Sequence, residues 1–353
     1  MKQNLILSTS DVHGTLSAYS YLDGSLTNNG LSRYKTAVDT LRNQNDIIVV
    51  DNGDSLQGSP LMTYALKIQA KPNPLASVFN QIGVDYVNIG NHDFNYGENA
   101  LLNYLDDLDA LCLTSNILYK DEPIGHTVVH QTSNERIALI GLCTDYIPNW
   151  EKPEHIKNFR FLDPIETLKQ EIAKVEVDKI IVFYHGGFER DLKDGHPTEK
   201  LTGENVGYEI LTTPGVDALF SGHQHRSIAQ DVHNKPALQC ALNANEFMVL
   251  ELESMTPYLS SMKDYDIDKS IELLIKPFDE QTQLWLDQEL GQIKGHDFKI
   301  KDAFQARLHK HPYVSFINQV QKEATNADIC GTALFNVAIG LDEVIHYRDL
   351  VLN

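Results

Sequence analysis

The sequence predicts an α/β protein, and three observations carry that prediction. Short β-branched runs alternate with amphipathic helical stretches. The runs are continuously apolar, as strands covered on both faces must be. Polar clusters rich in Asp, Asn and His follow the ends of several runs, where open α/β sheets place their ligands.

The elements can be justified in order. "LILST" (5–9) is a strand, "LSRYKTAVDTLRNQ" (31–44) a helix and "DIIVV" (46–50) a strand. Helix "PLASVFNQIG" (74–83), strand "DYVNI" (85–89), helix "GENALLNYLDDL" (97–108) and strand "ALCLTS" (110–115) follow. The helices place apolar residues three and four apart, whereas the strands are short and rich in Val, Ile and Leu. Strand "RIALIGL" (136–142) then leads to helix "DPIETLKQEIAKV" (163–175) and strand "DKIIVFYH" (178–185). A helix near "GENVGYEILTT" (203–213) and strand "VDALFSG" (216–222) complete the alternation. From "KPALQCAL" (235–242) to "EFMVLELE" (246–253), strand follows strand, which predicts an antiparallel end to the sheet.

After Ser254 the pattern changes. The chain divides by sequence into an α/β domain over 1–255, a helical connecting segment over 256–310 and a final stretch over 311–353. That last stretch opens a helix–strand unit, yet some forty residues are too few for an independent core. It reads as the beginning of an incomplete C-terminal α/β domain. A total of 353 residues agrees with about two domains.

Composition narrows the function classes. Hydrophobic residues make up 42% and charged residues 22%, ordinary for a globular protein. The formal net charge is −20, which repels nucleic-acid backbones and anionic membranes and argues against either as a partner. An anionic substrate would need a local source of positive charge, for which bound metal ions are the natural candidates. Cys112, Cys143 and Cys240 lie in strand-like runs and no C-x-x-C pair occurs, predicting buried thiols in a reducing compartment. No apolar run approaches the roughly 18 residues of a membrane-spanning helix. The opening "MKQNLILSTSDVHG" lacks a signal-peptide core. The chain is therefore expected in the cytoplasm, or outside it if a leader has been removed.

The chemistry lies at the strand ends. The first ends in "SDVHG", giving Asp11 and His13; the second in "VVDNGDS", giving Asp54. "GNHDFNYG" supplies Asn91 and His92, "VFYHGG" His185, and "LFSGHQH" His223 and His225. Carboxylates, imidazoles and one amide suit borderline divalent ions such as Mn, Fe, Zn or Co. There are too many ligands for one ion. A bridging carboxylate would let two ions lie about 3.5–4 Å apart, the arrangement for in-line displacement at phosphorus, and would provide hydroxide at neutral pH. The other nine histidines, His126, His130, His155, His196, His233, His296, His309, His311 and His346, read as ordinary hydrogen-bonding residues.

The motifs "DVHG", "NGD", "GNHD", "HGG" and "GHQH", in that order, resemble the calcineurin-like metallophosphoesterases and, more narrowly, the 5'-nucleotidase family. "VVDNGDSLQGSPL" and "GNHDFNYG" are most similar to its bacterial 2',3'-cyclic-nucleotide 2'-phosphodiesterase/3'-nucleotidase branch. "ATNADICGTALFN" resembles the start of that family's C-terminal domain. The resemblance implies a four-layer sandwich of two mixed sheets flanked by helices. It also implies that Asp11, His13, Asp54 and His225 hold one ion and Asp54, Asn91, His185 and His223 the other. Many 5'-nucleotidases carry Gln in place of His225.

His92 would then be the catalytic histidine outside the ligand set, stabilising charge on phosphate or protonating the leaving oxygen. Plain 5'-nucleotidases typically pair this histidine with Asp where this chain has Asn95. An amide cannot raise the imidazole's pKa by charge, so Asn95 favours the cyclic-phosphodiesterase branch. Arg190 in "GGFERD" is a candidate phosphate or substrate clamp.

The expected function is a two-metal phosphoesterase opening 2',3'-cyclic nucleotides and removing 3'-phosphates, with two divalent ions as cofactors and a phosphoester small molecule as partner. A 5'-nucleotidase or general phosphatase is the alternative within the family. A metal-binding remnant with little nucleotide turnover is the alternative outside enzymes. G-x-G-x-x-G, G-x-x-x-x-G-K, H-E-x-x-H and G-x-S-x-G are all missing from the sequence.

Overall fold

The computed structural model describes residues 2–295, 297–334 and 338–351. His296 and the Phe335–Asn336 end of "ATNADICGTALFN" lie outside the described residues. Contacts divide the chain into two compact units, Met1–Tyr19 with Ser25–Phe278, and Ser20–Gly24 with Asp279–Asn353.

Two six-stranded mixed sheets form the first unit. In chain order the strands are β1 (Asn4–Thr9), β2 (Asp46–Asp51), β3 (Tyr86–Val87), β4 (Leu111–Cys112), β5 (Val128–Gln131) and β6 (Arg136–Cys143). They continue as β7 (Lys179–His185), β8 (Ala218–Ser221), β9 (Ile228–Val232), β10 (Lys235–Gln239), β11 (Glu246–Glu251) and β12 (Thr256–Ser261). The first sheet runs β12-β11-β1-β2-β3-β4 and the second β9-β10-β8-β7-β6-β5. β1 to β4 pair in parallel, and β11 and β12 add an antiparallel edge. The second sheet has a parallel centre, β6-β7-β8-β10, closed at each side by an antiparallel strand. The antiparallel character expected near residues 235–253 is therefore shared between two sheets.

Alternation along each strand decides the layers. Ile6, Ile48 and Val50 of the first sheet join Ile137, Leu139, Ile181, Phe183 and Phe220 of the second in one buried cluster. The sheets therefore pack face to face, with successive side chains pointing to opposite sides. Ala138, Ile140, Leu142, Val182 and Tyr184 face the other way, onto Leu168 of helix Pro164–Lys174 and Leu211 of helix Gly207–Thr212. On the first sheet's outer side, helix Leu31–Gln44 buries Tyr34, Ala37 and Val38 and contacts β2. Helix, sheet, sheet and helix make the four layers of the expected sandwich.

Where the sequence suggested a helical connector from residue 256, Thr256–Ser261 is instead the edge strand β12. Its Pro257, which removes a ladder donor, is tolerated at an edge. Helix Lys269–Leu286 follows, with Pro277 inside it. In the second unit, Glu289–Gln292 pairs antiparallel with Val344–His346, and Phe298–Lys299 with Gly340–Leu341. Ile300, Ala306, Tyr313, Leu334, Ala338 and Leu341 form its small buried cluster. Among the described residues no helix is long and apolar enough to cross a membrane, and all four cysteines are free.

Candidate metal centre

The parallel strands β1, β2, β3, β7 and β8 end on one side, and the loops after them bring the polar residues together. Two groups result. Asp11, His13 and His225 place one ligand atom each within 4.8 Å of one another, as do Asp54, His185 and His223. The groups adjoin, because His185 Nε2 lies 3.2 Å from Asp54 Oδ2 and 3.9 Å from Asp11 Oδ1. His225 Nε2 lies 3.3 Å from Asp11 Oδ1 and 3.2 Å from His13 Nε2.

Five of these residues have left-handed backbone: Asp11 (φ 54), His13 (φ 50), Asp54 (φ 57), His223 (φ 68) and His225 (φ 56). Such a conformation costs about 1–2 kcal/mol for a side-chain-bearing residue. Its concentration in these loops marks a site that needs particular side chains where glycine would be easier. Glycine is used where backbones meet. A Cβ on Gly90 would fall 2.2 Å from Asp54 Oδ1, and one on Gly53 would fall 2.3 Å from Gly90 N. Those two glycines let the second and third loops touch.

Asp93 fastens them. Its buried carboxylate accepts from the backbone N–H groups of Asp54 (3.0 Å), Ser55 (2.9 Å), Leu56 (2.9 Å) and Gly90 (2.8 Å). The sequence offered no role for it; the structure turns it away from His92, into the neighbouring loop. His185 Nδ1 bonds the Asn52 carbonyl at 2.7 Å and His13 Nδ1 the Gln57 carbonyl at 2.9 Å. A carbonyl only accepts, so each Nδ1 carries a proton and Nε2 is the ring nitrogen turned toward the site.

Buried atoms without partners test whether cations fit. Asp54 Oδ2, Asn91 Oδ1 and His185 Nε2 are all buried with no hydrogen-bond partner. Asp54 Oδ2 and His185 Nε2 have only each other, 3.2 Å apart, and Asn91 Oδ1 has no donor; divalent ions would satisfy all three. The protonation pattern agrees. Burial opposes the charged form of His185, but Asp54 and Asp11 outweigh it and raise its pKa to about 10. Burial likewise works to raise Asp54, yet His185, His92 and His13 hold its carboxyl well below the usual range. This pocket holds positive charge strongly.

His92 stands beside the groups, its ring 5.6 Å from that of His13. Its backbone N–H donates to Asp54 Oδ1 at 2.7 Å and its Nδ1 lies 2.7 Å from Asn95 Oδ1. Arg190 is held in its own loop, donating to the Gly195 carbonyl at 3.2 Å beside Glu189. Three neighbours carried no signal in the sequence. Trp150 stacks on His223 with ring centroids 5.4 Å apart, Glu204 Oε1 lies 3.3 Å from His223 Nε2, and Glu151 accepts from Asn95. Of the histidines read as ordinary, His130 bonds Tyr86, His155 bonds Glu151 and His233 bonds Tyr208.

Comparison with known proteins gives this geometry its family. The calcineurin-like phosphoesterase model matches residues 5–227. A crystal structure of a putative 5'-nucleotidase from Staphylococcus aureus, in complex with alpha-ketoglutarate, superposes with a TM-score of 0.85 at 32% identity, covering 99% of this chain and 71% of that one. The Bacillus subtilis trifunctional nucleotide phosphoesterase protein YfkN is 31% identical over 62% of this chain. The Haemophilus influenzae 2',3'-cyclic-nucleotide 2'-phosphodiesterase/3'-nucleotidase is 25% identical over 90%. The chain spans 16% of the former's length and 55% of the latter's. The chain belongs to the calcineurin-like phosphoesterases, a family of hydrolases that use divalent metals.

Proposed function

We propose that this family member hydrolyses nucleotide phosphoesters, opening 2',3'-cyclic phosphodiesters and removing 3'-phosphates in preference to 5'-phosphates. The observation that carries the reading is the meeting of the two ligand groups at Asp11 and Asp54, with His92 alongside. Asp11, His13, Asp54 and His225 would hold one divalent ion, and Asp54, Asn91, His185 and His223 the other. Such a pair supplies Lewis acidity toward phosphoryl oxygens and lowers the pKa of water toward about 7.

The residues do the rest. Asp54 uses Oδ1 to fix the His92 backbone and turns Oδ2 toward His185, where it would be available to both ions. In hydrolysis a water oxygen, its proton released to solvent, forms a bond to phosphorus while the bond to the 2' or 3' oxygen breaks. The departing alkoxide needs a proton, and His92, whose Nδ1 is engaged by Asn95, donates it from Nε2. Asn95 supports the preference for cyclic and 3' substrates, since the family resemblance implies a carboxylate at that place in plain 5'-nucleotidases. A 5'-nucleotidase activity is the second reading, favoured by the likeness to the Staphylococcus aureus protein.

Parallel assays of the Mn-loaded chain on 2',3'-cyclic AMP, 3'-AMP, 5'-AMP and bis-p-nitrophenyl phosphate test this. Fast turnover of the first two with little on 5'-AMP is expected. Preference for 5'-AMP would establish the second reading. Silence on all four with metal bound would leave a metal-binding protein without nucleotide turnover.

A further inference from the structure

We infer that Glu151 is a positioning residue that fixes which ring nitrogen of His92 carries the acid proton, acting through the side-chain amide of Asn95. The inference rests on the reading of His92 as proton donor to the leaving oxygen.

The chain of contacts is short. His92 Nδ1 to Asn95 Oδ1 is 2.7 Å, and Asn95 Nδ2 donates to Glu151 Oε2 at 2.6 Å. On its other oxygen, Glu151 Oε1 accepts from the Lys152 backbone N–H at 2.7 Å and meets His155 Nδ1 at 2.8 Å. The Glu151 side chain is only 7% exposed, so few water molecules compete for it. An ionised carboxylate accepts and never donates. It therefore holds the NH2 end of Asn95 toward itself and turns the amide oxygen to His92. That oxygen can only accept, so Nδ1 of His92 must be the N–H nitrogen and Nε2 is left to gain and lose the transferable proton.

Without Glu151 the Asn95 amide is free to flip. Its NH2 would then face Nδ1, favouring the opposite tautomer and opposing the imidazolium. An amide at position 95 thus fixes the tautomer of His92, though without a carboxylate's charge, only because a carboxylate stands behind it. The sequence around Glu151, "NWEKPEH", gives no sign of this; the fold carries it to Asn95 from 56 residues away.

The test compares phenyl phosphate with p-nitrophenyl phosphate, whose leaving oxygens need a proton to different degrees and which do not depend on nucleotide preference. In the full Mn-loaded chain, Glu151→Ala is expected to lower kcat on phenyl phosphate by about 10- to 100-fold. The loss on p-nitrophenyl phosphate should be several-fold smaller, with KM little changed. Asn95→Asp alone should also lower kcat, since it sets two carboxylates against each other. In the Glu151→Ala background the same change should restore kcat, because Asp accepts from Nδ1–H unaided. In metal-free protein, histidine ¹⁵N spectra should show His92 protonated at Nδ1, with that signature lost in Glu151→Ala and regained in the double variant. Equal losses on both esters with no rescue and an unchanged tautomer would overturn the inference alone. A His92→Ala variant with no dependence on leaving group would overturn the acid reading and this inference with it.

Discussion

His225 illustrates what the loops demand of single residues. At φ 56 a glycine is easier than any side chain. In metal-free protein, His225→Gly is therefore expected to be about 1 kcal/mol more stable than His225→Ala, the reverse of the usual order, by urea unfolding. Both variants should lose metal affinity. Asp51 makes a second case, one residue scale away from the ligands. Burial raises its pKa to about 7, although Ser55, Thr9 and Gly53 donate hydrogen bonds to it. The folded chain thus keeps a proton that the unfolded chain releases near 3.8. Its contribution to stability is fully present at low pH, falls as pH rises toward about 7 and levels off above it. Each pH unit across that window costs about 1.4 kcal/mol. In EDTA-treated protein, Asp51→Asn should flatten this slope between pH 5 and 7; an unchanged slope would place the titration elsewhere.

At the scale of elements, the ligand loops depend on what ties them together. Asp93→Ala would leave four backbone N–H groups without their acceptor. A loss of several kcal/mol and a 10- to 100-fold drop in metal affinity, roughly, are expected by denaturation and metal titration. In the central strand β7, Ile181 is fully buried between the sheets, and Ile181→Ala should cost about 2–5 kcal/mol. Much of this level was legible in sequence. β1, β2, β7 and β8 are continuous apolar runs ending in Asp or His clusters, so both strand and ligand announce themselves. The division into two sheets came through the family resemblance and not from local pattern, because pairing β1 with β11 joins residues such as Leu5 and Glu251 with no local signature. Asp93, Glu151 and Glu204 escaped for the same reason: each acts on a segment that only the fold makes its neighbour.

Across the whole molecule, the first unit carries the metal centre and the second has its own small core. Metal binding should therefore stabilise the first. At a hundred-fold excess over Kd the gain is about 2.7 kcal/mol, and calorimetry should show EDTA lowering the unfolding transition of the first unit. The two tryptophans make the same distinction visible to light. Trp150 is 44% exposed and stacked on His223, whereas Trp285 is 7% exposed and belongs to the second unit. Their emission should separate into a red, water-facing component and a blue, buried one. Paramagnetic Mn²⁺ entering beside His223 should quench the red component. The protein would thus carry its own optical gauge of occupancy, readable without substrate.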